Sequence, residues 1–88
     1  MELEDRLDML LALAEELGIS IRREPLGGGG GGLCFLRGQR VMFVDTAADL
    51  DTRYERVLAG LAPLKELDNL YLRPEIREDI EAYRRRLR

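Results

Sequence analysis

The chain has no histidine and no tryptophan, one cysteine, one serine and one lysine. Each scarcity removes a class of chemistry. Without histidine there is no imidazole base, no serine or cysteine triad of the usual kind and no ordinary zinc site. A lone cysteine, Cys34, excludes an intrachain disulfide and suits a reducing cytosol. Set in an apolar stretch, it reads as a small inert hydrophobe rather than a nucleophile. Ser20 stands between two isoleucines. No apolar run approaches membrane-spanning length, and no basic-then-apolar leader opens the chain, so a cytoplasmic protein without membrane contact is expected. Fourteen basic against seventeen acidic residues leave a net charge of −3, which argues against a nucleic-acid partner. The expectation is a protein that is not an enzyme and carries no cofactor.

What is present is a stretch of 12 residues from Leu33 to Val44 in which Leu, Phe, Val and Met flank Gly38-Gln39. It predicts a β-hairpin with a type II′ turn at Gly38-Gln39. That turn sets Arg37 opposite Arg40, Leu36 opposite Val41, Phe35 opposite Met42 and Cys34 opposite Phe43. Leu33, Phe35, Met42 and Val44 then share one face, and Cys34, Leu36, Val41 and Phe43 the other. Both faces are apolar, whereas a half-solvated sheet alternates apolar with polar, so a cover on both sides is expected.

Helices are expected on either side. Leu3, Leu7, Leu10, Ala14 and Leu17 form one stripe of a helix over about 2–17, closed by Gly18. Leu50, Tyr54, Val57 and Leu61 mark a second over 48–61, and Ile76, Ile80, Tyr83 and Leu87 a third over 74–87 that starts at Pro74. Strands are placed at 19–24, 33–37 and 40–44, with Leu70-Tyr71-Leu72 a candidate fourth. Pro25 should stop the first strand by Glu24 or place it at a sheet edge, and the roughly 9–11-residue connection to the hairpin leads to the expectation of antiparallel pairing at one edge. The fold class is therefore α+β: one domain, a small antiparallel sheet and three helices, with a flexible glycine-rich loop at 25–32.

Thirteen of the fourteen basic residues are arginine. That bias fits either a G+C-rich genome or a thermophilic source. The first helix is acidic, with six acids against one arginine in residues 1–18, and the last is basic, with six arginines against four acids in residues 73–88. The two are expected to attract each other, within a chain or between chains. Arg84, Arg85, Arg86 and Arg88 crowd the last helix end, where cations suit the dipole.

Two sets of residues invite a ligand. Gly28, Gly29, Gly30 and Gly31 could cradle an anion with Arg22, Arg23 and Arg40, yet a strand rather than a helix follows the glycines and no lysine or hydroxyl stands near. Asp45, Asp49 and Asp51 could hold a hard cation, but helix capping explains them more simply.

The order of a helix, Leu17-Gly18-Ile19-Ser20-Ile21, then Gly32 to Val41, a further strand and an arginine-rich helix resembles the start of IrrE/ImmA-type zinc metallopeptidase domains over residues 10–62. In that family a His-Glu-x-x-His helix follows the hairpin. Here the corresponding place reads Val57-Leu58-Ala59-Gly60-Leu61-Ala62, so the resemblance implies a shared scaffold without the peptidase chemistry. The preferred expectation is a non-catalytic protein-interaction or structural module, a homodimer meeting itself or another protein through Leu36, Val41, Phe43, Tyr83 and Leu87. The alternative is a small-molecule, phosphate or nucleotide binder built on the glycine loop and its arginines.

Overall fold

A computed structural model describes residues 1–87. Helix α1 spans Leu3–Glu16, strand β1 Ser20–Glu24, β2 Gly31–Leu36, β3 Gln39–Asp45, α2 Leu50–Leu61 and α3 Pro74–Arg86, with a 3-10 turn at Lys65–Asn69 before α3. The fold is α+β, a three-stranded mixed sheet packed against three helices. The radius of gyration, 12.3 Å, matches the roughly 12 Å of a close-packed chain this long.

Local chemistry sets the elements. Helix α1 buries Leu7, Leu10, Leu11, Leu13 and Ala14 along one side. Gly18 ends it at φ +79°, where a side chain would be strained. The Gly18 N–H donates to the Glu15 carbonyl and the Ile19 N–H to Ala14, each at 3.0 Å, a Schellman closure that turns buried Ile19 into β1. Asp49 caps α2, accepting from the Thr52 N–H at 2.8 Å, and Pro74 opens α3.

The strand order is β1-β3-β2, with β1 parallel and β2 antiparallel to β3. The antiparallel first strand expected from the sequence is thus corrected. β1 does lie at an edge, but residues 25–30 carry the chain across the end of β3 before β2 returns on its far side. The hairpin then brings β3 back between the two, running in the same direction as β1. Gly31 and Gly32 belong to β2 rather than to the loop.

The hairpin register is also corrected. Leu36 faces Gln39, Phe35 faces Arg40, Cys34 faces Val41 and Leu33 faces Met42. The turn residues are Arg37 and Gly38, with φ of +52° and +77°, a type I′ turn whose twist matches that of the strands. Each partner moves by two residues, so the expected faces keep their members, while Arg37 no longer opposes Arg40.

Met42 and Val44, with partly buried Ile21 and Leu33, join α1 and α2 in the core on one side of the sheet. α3 packs on α1 and α2 rather than on the sheet. The other sheet face carries Ser20, Arg22, Val41, Phe43, Cys34 and Leu36, and among the described residues no helix packs over it as α1 and α2 do on the first face, so the second helical cover expected from the sequence is not found there. Residues 70–72 form no strand. Leu72 is buried in the helical core and Tyr71 is exposed, because the segment runs extended into Pro74, beside the helices.

Polar side chains fasten the helices. The Arg6 guanidinium on α1 donates to Asp79 Oδ2 on α3 at 2.9 Å, and the Tyr54 hydroxyl on α2 donates to the same oxygen. Burial and the bond to Asp79 push the Tyr54 hydroxyl well above its ordinary pKa. The contact between the acidic and basic helices therefore uses the one arginine of the first and an acid of the last. Arg84 of the basic cluster donates to the Ala62 carbonyl at 2.6 Å, to Leu64 at 3.2 Å and to Asp68 at 2.8 Å. Arg88 of that cluster lies outside the described residues.

Replacing Arg37 by Asn should stabilise the protein by ~0.5–1 kcal/mol in denaturant titration, because Asn tolerates the left-handed conformation that arginine here does not prefer. The glycines should differ sharply. A Cβ at Gly31, φ +88°, would lie 2.1 Å from the Phe43 carbonyl oxygen, whereas one at Gly29 meets nothing within 4 Å. Gly31→Ala should cost about 2 kcal/mol or more and Gly29→Ala less than about 0.5 in the same titration.

Candidate interaction surface

The glycine loop already holds an anion, and it is the protein's own. Asp45, the last residue of β3, is fully buried. Its Oδ1 accepts from the N–H of Leu26 at 2.8 Å and of Ala47 at 2.9 Å, and its Oδ2 from Gly28 at 2.7 Å and Gly30 at 3.1 Å. Burial alone would raise its pKa, but the four donors together outweigh that and bring it down to about 2. The loop expected to be flexible is thus tied down at three of its N–H groups. Arg56 of α2 adds a bond to the Gly29 carbonyl at 3.1 Å.

The arginines proposed for an anion site do not converge on that loop. Arg22 pairs with Glu24 at 2.6 Å and stacks over Phe43, 5.4 Å from the ring centre. Arg23 lines a depression with Glu4, Asp8 and Arg53. Arg40 is near the opposite end of β3, donating to Glu66 at 3.0 Å and to the Leu17 carbonyl at 2.8 Å. The three aspartates also separate by role. Asp45 organises the loop, Asp49 caps α2 with its pKa lowered by the Thr52 N–H, and Asp51 sits in the first turn of that helix. Among the described residues, no three of His, Cys, Asp or Glu gather as a metal site, and no buried side-chain polar atom lacks a partner.

The surface that stands out is β2. It is a sheet edge whose sequence, Gly-Gly-Leu-Cys-Phe-Leu, carries no charge and no proline. Cys34, Phe35 and Leu36 are consecutive and exposed, Phe35 at 73% and Leu36 at 42%. Natural edge strands are usually blunted by charge, proline or a cover. The other edge, β1, is: it displays Arg22, Arg23 and Glu24 and runs into Pro25.

The five interface residues expected from the sequence do not form one patch. Leu36 is on the open β2 edge. Val41 is only 7% exposed, and Phe43 lies half-buried under Arg22. Tyr83 packs against the core beneath Arg86, and Leu87 is exposed past the end of α3. The sequence pattern does not mark Phe35, Ala59 or Gly60 for an interface: the hairpin alternation makes Phe35 a covered residue, and nothing in the spacing of α2 says that its small residues meet β2. There they help line a shallow cleft of about 330 Å³, together with Gly31 to Cys34 and Arg56.

No family model, curated protein or solved structure matches this chain.

Asp45→Ala should leave its four donors without their acceptor and lower the thermal midpoint by on the order of 10 °C. Because the folded pKa is depressed, the stabilisation is complete above the ordinary carboxylate pKa of about 4 and is lost as pH falls through about 2. Acid titration of wild type against Asp45→Ala should show the gap between them closing across that window.

Proposed function

We propose that this chain is a non-catalytic protein-interaction module that works as a homodimer in a reducing, cytosolic setting. The observation that carries the reading is the run of three exposed apolar residues, Cys34 to Leu36, on an unguarded edge strand. A small protein that leaves such a strand wet invites aggregation, unless the strand has a partner. The non-catalytic part rests on how the polar side chains are used. Asp45 is consumed by the loop, Tyr54 and Asp79 by each other, and Arg40 and Arg84 by helix-end carbonyls. A thiol as exposed as Cys34 persists unmodified most easily where glutathione keeps it reduced.

The alternative, an anion or nucleotide bound by the glycine loop, would have to displace Asp45 from its donors. The IrrE/ImmA resemblance, taken as a scaffold relation, brings no zinc ligand to α2. Sedimentation velocity from low to high micromolar concentration tests the reading. A particle of about 20 kDa, twice the 10.1 kDa chain, is expected, and a clean monomer throughout would remove the homodimer.

A further inference from the structure

We propose that two copies join edge to edge through β2, antiparallel and centred on Cys34, so that two three-stranded sheets become one of six. The inference rests on the homodimer reading and specifies its geometry.

The backbone is prepared for it. With a two-residue turn, Leu36 and Gln39 form a hydrogen-bonded pair, and the alternation along the ladder makes Cys34–Val41 and Gly32–Phe43 bonded pairs too. The Asp45 N–H reaching the Gly30 carbonyl at 3.4 Å fits the same phase. The N–H and C=O groups of Leu33 and Phe35 therefore point away from β3, toward the open edge.

Side chains favour a second copy as the strand that fills it. Helix α2 follows β2 from Gly30, near Thr52 and Arg56, to Leu33, near Gly60, and ends at Leu61. Phe35 shares Leu33's face but lies about 7 Å farther along the strand, beyond the helix. That is why it is exposed. The cleft lined by Gly31 to Cys34, Arg56, Ala59 and Gly60 lies beside Leu33, two residues back on the same edge. In an antiparallel pair about Cys34, Phe35 of the second copy faces Leu33 at that cleft, and the two-fold axis repeats the contact in reverse. A knob and its hole on one strand is the self-complementary arrangement an isologous contact requires.

On the other face Cys34 meets Cys34 of the second copy and Leu36 meets Gly32. No charge of β2 opposes its own image. The two α2 helices fall to opposite sides of the axis along the strand. Packing the outer sheet faces together offers less, because Val41, between Ser20 and Cys34, is only 7% exposed and Phe43 lies under Arg22.

Two variants and the single native thiol test this. Phe35→Pro removes an outward N–H that the β2–β3 ladder does not use. Ala59→Glu fills the cleft from the helix and leaves the strand's own residues unchanged. Both should keep the wild-type circular dichroism and raise the dimer dissociation constant at least about 100-fold by sedimentation. Wild type treated with a short bis-maleimide should give a Cys34-linked dimer, and neither variant should. A wild-type dimer that survives in a folded Ala59→Glu would overturn edge pairing while leaving the homodimer standing. So would a dimer that both variants abolish but Cys34 does not cross-link, since the pair would not be centred there. A wild-type monomer at all concentrations removes both proposals.

Discussion

The fold hangs on one carboxylate at the end of one strand. To lie parallel to β1 and beside it, β3 must be preceded by a strand on its far side, so the chain has to cross the end of β3 within residues 25–30. A crossing that tight exposes N–H groups with no ladder partner, and buried donors without acceptors are costly. Asp45 stands where the bridge passes and takes three of those donors, with the Ala47 N–H as a fourth. The glycines fit the same geometry. Gly27, Gly28, Gly30 and Gly31 hold positive φ, and at Gly31 the chain passes too close to Phe43 for any side chain.

A second recurring device is the arginine fork on a carbonyl. Arg40 closes the end of α1 at Leu17, Arg84 the end of α2 at Ala62, Arg53 binds Ala48 and Thr46, and Arg56 binds Gly29. Helix ends leave carbonyls unpaired, and a planar guanidinium can serve two or three acceptors at once where an ammonium cannot hold the geometry. The arginine bias thus has a structural use here, whatever its origin. It also explains why the basic cluster of α3 is not simply free to grip an anion: its first member is already spent on the 62–68 connection.

The two edges of the sheet are treated differently. β1 is charged and ends at a proline, while β2 is uncharged, apolar and open beyond the end of α2. The end of α2 leaves Phe35 uncovered, and the small residues Ala59 and Gly60 within the helix leave a cleft beside Leu33. The exposed apolar surface of this protein therefore lies along one edge more than across a face, whereas the sequence pattern points to the face.

Much of this was legible in the chain itself. The period of leucine and isoleucine placed three helices within two residues of their ends, Gly18 and Pro74 marked a stop and a start, and alternation placed the right residues on each side of the hairpin. Those features depend on neighbours a few positions apart, which local sterics and local hydrogen bonds decide. The parallel β1–β3 pairing, the turn at Arg37-Gly38, the burial of Asp45 and the exposure of Phe35 could not be read that way. Each depends on which distant segment arrives alongside: a bridge that Asp45 can anchor, a strand twist that selects the turn, a helix that ends two strand residues too soon. Spacing along a chain records which residues share a face, and only the packed molecule determines what lies opposite them.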